Sequence, residues 1–280
     1  MSLRDAIRRV VIVVPCYNEA SRLQLDQFRT ALQQQDDLYL LLVNDGSADS
    51  TEQILYSFQQ DQPERVTVLS LQRNSGKAEA VRQGMLSAIQ SGAELMGYWD
   101  ADLSTPLSAV CAFREVLASR PDVVLVMGAR VQLLGREIQR RPLRHYLGRM
   151  FATAASVLLR LAVYDTQCGA KLFRNRADVA KLFESKFISR WIFDVEILAR
   201  LIRGRRCDGL ADAASVVYEY PLDRWVDVAG SKLRPRDFVL AFVDLWRIGR
   251  ANDLIGLGRG RRVGHRPGYD RAESDGRGAP

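Results

Sequence analysis

The sequence predicts an α/β protein built on a mostly parallel central sheet with helices on both faces. Three observations carry this. Short β-rich runs recur through the first half of the chain. Stretches long enough for a helix separate them. The runs are continuously apolar, as expected for strands buried on both faces. Across the 280 residues, 47% are apolar and 26% are charged. Those proportions belong to globular domains and exclude a collagen-like, disordered or disulfide-scaffold chain.

The strands read in order as residues 9–14, 38–43, 65–71, 95–99 and 122–127. Between them, helices are expected over 20–35, 50–61, 75–91 and 106–120. Asp49, Ser50 and Thr51 offer cap oxygens ahead of Ile54, and Glu52 adds a carboxylate to the first turn. Thr105 ahead of Pro106 reads as a cap followed by a first-turn proline. In the second half, Leu143, Leu147, Met150, Phe151, Ala154, Leu158 and Leu161 recur at three- and four-residue spacing, an amphipathic helix. A short segment at 170–173 follows, then helices at 177–184 and 192–201, a strand at 214–220 and a helix at 236–250. Beyond 250 the chain is rich in Gly and Arg and poor in large apolar residues. This predicts one folded domain over 1–250 and a flexible tail over 251–280.

Cys16, Cys111, Cys168 and Cys207 form no Cys-x-x-Cys pair, which fits a reduced cytoplasmic protein better than a disulfide framework or a zinc site. The run from Val10 to Val14 is too short for a signal-peptide core, and Arg160 interrupts the longest apolar window, Met150–Val163. No membrane-spanning helix is therefore expected, and a peripheral membrane role stays open. The net charge of +7 raises a nucleic-acid binder as one alternative. No interleaving of basic and aromatic residues supports it.

Four segments at expected strand ends carry chemistry. Pro15-Cys16-Tyr17-Asn18-Glu19 follows the first strand, where Tyr17 suits base stacking and Glu19 a ribose hydroxyl. Asn44-Asp45-Gly46-Ser47 follows the second, with Asp45 placed to accept from a base edge, or else to form an Asx turn. Ser75-Gly76-Lys77 precedes the third helix and suits an anion, without the spacing of a Walker A loop. Asp100-Ala101-Asp102 follows the fourth strand. In extended geometry its two carboxylates point the same way, and a hard cation such as Mg²⁺ wants such oxygens alongside substrate phosphates.

The order of these segments resembles the family 2 glycosyltransferases of the GT-A fold. The resemblance implies a nucleotide-sugar site at Pro15, Tyr17, Glu19, Asp45, Lys77, Asp100, Ala101 and Asp102. It also implies Mg²⁺ or Mn²⁺ on Asp100 and Asp102. The segments Asp165-Thr166-Gln167-Cys168-Gly169, Arg190-Trp191-Ile192-Phe193-Asp194-Val195-Glu196 and Gly230-Ser231-Lys232-Leu233 are similar to those of the dolichyl-phosphate β-glucosyltransferases. Dolichol-phosphate mannose synthases are near cousins. Asn44 departs from the pattern, where the family usually carries an acid.

What the resemblance implies is an inverting transfer of glucose from UDP-glucose to a polyprenyl phosphate at the cytoplasmic membrane surface. Asp102, Asp194 and Asp165 would be the catalytic residues, and Arg130, Ser231 and Lys232 would hold the acceptor phosphate. Glu196 has an internal ion pair with Arg190 or Arg200 as its other reading, and Trp191 and Phe193 read as core. Arg136 through Arg149 are expected against lipid headgroups or water, next to the apolar stripe of the following helix. GDP-mannose as donor, a soluble acceptor, and a sugar-nucleotide pyrophosphorylase are the competing enzyme readings. The last would carry a Gly-rich basic loop where this chain has Pro15-Cys16-Tyr17-Asn18-Glu19.

Overall fold

A computed structural model of the chain describes residues 9–139, 142–226 and 235–255, with side chains over 9–138, 148–226 and 240–255. The elements run β1 (Val10–Cys16), α1 (Leu25–Gln34), β2 (Leu38–Asn44), α2 (Thr51–Asp61), β3 (Val66–Ser70), α3 (Lys77–Gln90), β4 (Leu95–Trp99), α4 (Ala109–Ser119) and β5 (Leu125–Ala129). They continue with β6 (Glu137–Gln139), α5 (Pro142–Leu159), β7 (Ala170–Arg174), α6 (Ala177–Glu184), α7 (Phe193–Cys207), α8 (Ala213–Val216), β8 (Val217–Pro221), β9 (Arg224–Val226) and α9 (Pro235–Ala251).

Among the described residues, one seven-stranded sheet has the order β3-β2-β1-β4-β7-β5-β8. Every pairing is parallel except those of β7, which runs antiparallel between β4 and β5. The parallel strands point their carboxyl ends to one edge, where ligands of open α/β sheets bind. A separate two-stranded ribbon pairs β6 with β9.

Strand alternation divides the core. Val10, Ile12 and Val14 of β1 join one apolar cluster with residues of α1, α2 and α4. Val11 and Val13 join another with residues of α3, α5, α6, α7 and α9. Successive side chains of a strand face opposite ways, so a run of five buried apolar residues serves both layers.

Several boundaries differ from expectation, each for a local reason. α1 starts at Leu25, because residues 19–23 form a turn in which the Glu19 carbonyl accepts from the N–H groups of Arg22 and Leu23. α4 starts at Ala109 rather than Pro106. The Thr105 carbonyl takes the Trp99 indole N–H instead (2.9 Å). The strand expected over 214–220 is β8 but starts only at Val217, its first three residues belonging to the short helix α8. The stripe expected on α5 is rotated: Phe151, Ala155 and Leu159 are buried, but Met150 is 64% exposed. Of the expected tail, residues 256–280 lie outside the described residues.

Candidate active site

Side chains stitch the first two loops together. Asn18, in the left-handed region at φ +51°, donates its N–H to Ser47 Oγ (3.1 Å) and accepts the Ala48 N–H at Oδ1 (2.9 Å). The Glu19 N–H meets Thr51 Oγ1 (2.8 Å). Asp49 Oδ1 accepts from the Thr51 N–H and hydroxyl, so Asp49 rather than Ser50 caps this helix start. Asn44, buried at the end of β2, accepts the Ser47 N–H and donates to Ser70 Oγ. Its amide both gives and takes, which a carboxylate cannot do. Pro15 lies in β1 opposite Val43, and Tyr17 and Glu19 are half-buried in the loop that follows. Glu19 accepts from the Arg22 guanidinium at 2.6 Å.

Asp45 is placed differently from the expected open acid. It is 2% exposed, and its two oxygens accept the backbone N–H groups of Ser75 (2.7 Å) and Gly76 (2.8 Å). Burial pushes its carboxyl up, and those two donors and the nearby Arg190 offset that only in part. Asp45 thus fixes the path of the loop that opens α3. Arg190 reaches the same loop and donates to Asn74 Oδ1 (3.1 Å).

Lys77, the first residue of α3, spans from that loop to the turn after β4, with Nζ 2.5 Å from Asp100 Oδ1. Burial works to lower its ammonium. Asp100 and then Asp194 outweigh that effect and raise it. The Asp100–Asp102 segment is a turn, not the extended strand end the sequence suggested. The Leu103 N–H closes on the Asp100 carbonyl (3.1 Å), and Leu103 sits at φ +50°. Asp102 Oδ1 accepts the Ser104 N–H (3.0 Å), and Ala101 is buried between the two acids. Both acids remain half-exposed.

The loop before β7 seats Asp100. The Asp100 N–H donates to the Gly169 carbonyl (3.0 Å), and a Cβ on residue 169 would collide with the Asp100 carboxylate. Gly169→Ala is therefore expected to displace Asp100, cut turnover at least roughly tenfold and weaken Mn²⁺ affinity, with little change in melting temperature. Wild-type Mn²⁺ affinity in that variant would count against this seat.

Asp194 is paired with the buried Lys171, and Asp165 with the partly buried Arg130. Asp194 Oδ1 takes Lys171 Nζ at 2.6 Å and the Tyr98 hydroxyl at 2.5 Å. Lys171 also donates to the carbonyls of Thr166 and Cys168. Asp165 receives a two-pronged contact from Arg130, Nε to Oδ2 at 2.6 Å and Nη2 to Oδ1 at 2.8 Å. The Arg130 guanidinium lies 5.3 Å from the centre of the Trp225 ring. The Asp165 N–H is itself held by Glu219 (2.9 Å). Both aspartates are thus tied into ion pairs, Asp165 through both oxygens and Asp194 through Oδ1.

Glu196 pairs with Arg200 at 2.7 Å and accepts the Ile188 N–H, so its internal reading is the one found. Phe193 is core, whereas Trp191 is 49% exposed. Arg136 contacts Asp223 and the Pro221 carbonyl, and Arg149 stacks on Tyr164 at 3.8 Å. Those two arginines have partners within the chain. Ser231 and Lys232, together with Arg140, Arg141 and the Arg144 side chain, lie outside the described residues. The sequence assigned no role to Lys171 or Asn18, and it offered Arg190 only as an alternative partner of Glu196. A lysine inside the apolar run Ala170–Phe173 was the available signal for the first.

Two half-exposed carboxylates on one turn fit a hard divalent cation, which uses one or two protein carboxylates and takes its other ligands from water and phosphate. The described residues hold no cluster of three or more His, Cys, Asp or Glu.

The glycosyl transferase family 2 profile matches residues 11–179, more than half of the chain. This chain belongs to that family and is a glycosyltransferase of the GT-A fold. It is 33% identical over 245 residues to the dolichyl-phosphate beta-glucosyltransferase of Drosophila melanogaster, covering 80% of this chain and 69% of that one. It is 32% identical over 242 residues to the Saccharomyces cerevisiae protein of the same name, covering 79% and 68%. Among solved structures, it is similar to glucosyl-3-phosphoglycerate synthase from Mycobacterium tuberculosis in complex with Mn²⁺, UDP-glucose and phosphoglyceric acid. There the TM-score is 0.61 at 15% identity, over 89% of this chain and 82% of that one. It is also similar to TarS of S. aureus bound to UDP-GlcNAc, with a TM-score of 0.55 at 15% identity, over 86% and 66%. At such identity the structural likeness is one of fold. No described helix is long and apolar enough to cross a membrane.

Proposed function

We propose that this chain transfers glucose from UDP-glucose to a polyprenyl phosphate, with inversion at C1, at the cytoplasmic face of a membrane. One observation carries the reading. A single loop, Asp165–Gly169, joins two groups that this reading assigns to different substrates: Gly169 seats Asp100, assigned to the donor's metal, and Asp165 holds Arg130, assigned to the acceptor phosphate. The dolichyl-phosphate glucosyltransferases to which the chain is similar support the choice of sugar and acceptor. The four cysteines are unpaired, in keeping with a reducing compartment.

The donor site is assigned to the loops around Pro15, Tyr17, Glu19 and Asp45. In this reading Asp45 acts through the loop it fixes, and Lys77 contributes positive charge at the α3 N-terminus. Asp100 and Asp102 would hold Mg²⁺ or Mn²⁺, which when bound supplies Lewis-acid charge to the departing diphosphate. Arg130 spends Nε and Nη2 on Asp165 and turns Nη1 to the acceptor phosphate, a fork pre-set by its own ion pair. Ser231 and Lys232 are assigned to the same phosphate. A phosphate monoester, with a second pKa of about 6, is mostly ionised at neutral pH. It needs orientation more than a base, which agrees with Asp165 and Asp194 being positioning residues.

The test is transfer with Mg²⁺, a panel of nucleotide sugars and a short polyprenyl phosphate. Glucose transfer from UDP-glucose is expected, with UDP binding more tightly than GDP in calorimetry. Preference for GDP and GDP-mannose would move the chain to the mannose branch. Transfer only to a soluble acceptor would overturn the lipid assignment.

A further inference from the structure

The segment between β5 and β6 begins at Arg130 and ends in a turn whose tip is apolar. Leu134 is 104% exposed and Leu133 48% exposed, so the first packs on nothing and the second on little. Turn tips are ordinarily polar or glycine. Two adjacent leucines at one, four residues from the arginine assigned to the acceptor phosphate, call for an apolar environment that the described residues do not provide.

The turn is held without help from those leucines. The Arg136 N–H donates to the Leu133 carbonyl at 3.1 Å, and Gly135 at the third position has φ +82°. That is the glycine a type II turn requires. At the base, Arg136 donates to the Pro221 carbonyl at 2.5 Å and pairs with Asp223, while Gln132 reaches the Ile138 carbonyl. The leucines are therefore presented by a pre-formed turn.

The surroundings favour a lipid surface as the occupant. In the sequence, residues 130–149 contain six arginines against one acid, Glu137; Arg130, Arg136 and Arg149 are spent on partners within the chain and Glu137 on Arg224, so the excess rests on Arg140, Arg141 and Arg144. Basic residues beside exposed apolar ones match the charge and the hydrocarbon of an anionic leaflet. Four residues span at most about 14 Å of extended chain, so a tip lodged in the lipid keeps Arg130 within reach of a phosphate at the headgroup level.

We propose that Leu133 and Leu134 insert into the membrane interface and bring the acceptor site to the lipid phosphate. This rests on the polyprenyl-phosphate reading and extends it to a specific docking element. The test is a Leu133→Ser/Leu134→Ser double variant against vesicles of phosphatidylcholine and phosphatidylglycerol, with activity on two acceptors. Vesicle co-sedimentation is expected to weaken roughly tenfold, and KM for vesicle-embedded polyprenyl phosphate to rise. Melting temperature, UDP affinity and transfer to a short, water-soluble polyprenyl phosphate should not change. Leu133→Phe/Leu134→Phe should bind vesicles at least as well as the parent. A serine variant that binds vesicles as the parent does overturns the docking element, and retained capture of a protein partner would then mark the turn as a protein contact. Failure of the acceptor reading is separate: the parent itself would transfer to neither acceptor.

Discussion

Asp102→Asn should yield a folded protein that has lost most of its turnover, by at least roughly 100-fold. The side-chain oxygen that accepts the Ser104 N–H survives in asparagine, so the turn through Leu103 keeps its internal bond. What disappears is one of the two negative charges on the turn assigned to the metal. Asp100 cannot compensate, because its Oδ1 already sits on Lys77. Removing Asp102's charge leaves a single carboxylate partly neutralised by an ammonium, a poor site for a divalent cation. Rates at saturating UDP-glucose across a Mn²⁺ titration, with a thermal melt alongside, test this. The expected result is an unchanged melt, a low maximal rate and a shifted metal requirement. Parent enzyme running at full rate in excess chelator would refute the assignment.

The sheet was largely legible in the sequence because its strands are continuous apolar runs separated by helix-length gaps. The chain direction of β7 was not. Ala170-Lys171-Leu172-Phe173 is short, and nothing in four residues encodes whether a strand enters between β4 and β5 parallel or antiparallel. That depends on where the chain returns after α5. At the site, residue types predicted which segments converge but not how their hydrogen bonds are spent. Asp45 could be read as open because a side chain's neighbours across 30 residues, here Ser75 and Gly76, leave no local trace. Asn44 looked like a departure from a pattern of acids, and its two-way amide contacts account for it. Asp165 and Asp194 read as reactive acids for the same reason. The cations that claim them, Arg130 and Lys171, are 35 and 23 residues away in sequence, and only folding brings them together.

Lys171 supports the second large expected effect. Its side chain is 0% exposed, and its three ammonium hydrogens match three acceptors, Asp194 Oδ1, the Thr166 carbonyl and the Cys168 carbonyl. Lys171→Met conserves length and apolar fit but strands the Asp194 carboxylate, which keeps only the Tyr98 hydroxyl, and leaves two buried carbonyls short of a donor. Breaking such a buried pair from one side costs about 3–5 kcal/mol, so the variant should unfold at clearly lower denaturant. Lys171→Arg should not rescue it, because a planar fork cannot replace a compact three-donor head in a closed pocket. The double variant Lys171→Met/Asp194→Asn removes both charges and should recover part of the loss, giving a large coupling in the mutant cycle. The same change loosens the loop that carries Asp165 and Gly169, so the double variant should lose turnover more than UDP affinity. Additive single losses in the unfolding cycle would mean that Lys171 and Asp194 are not coupled, and the positioning role of both would fall with that result.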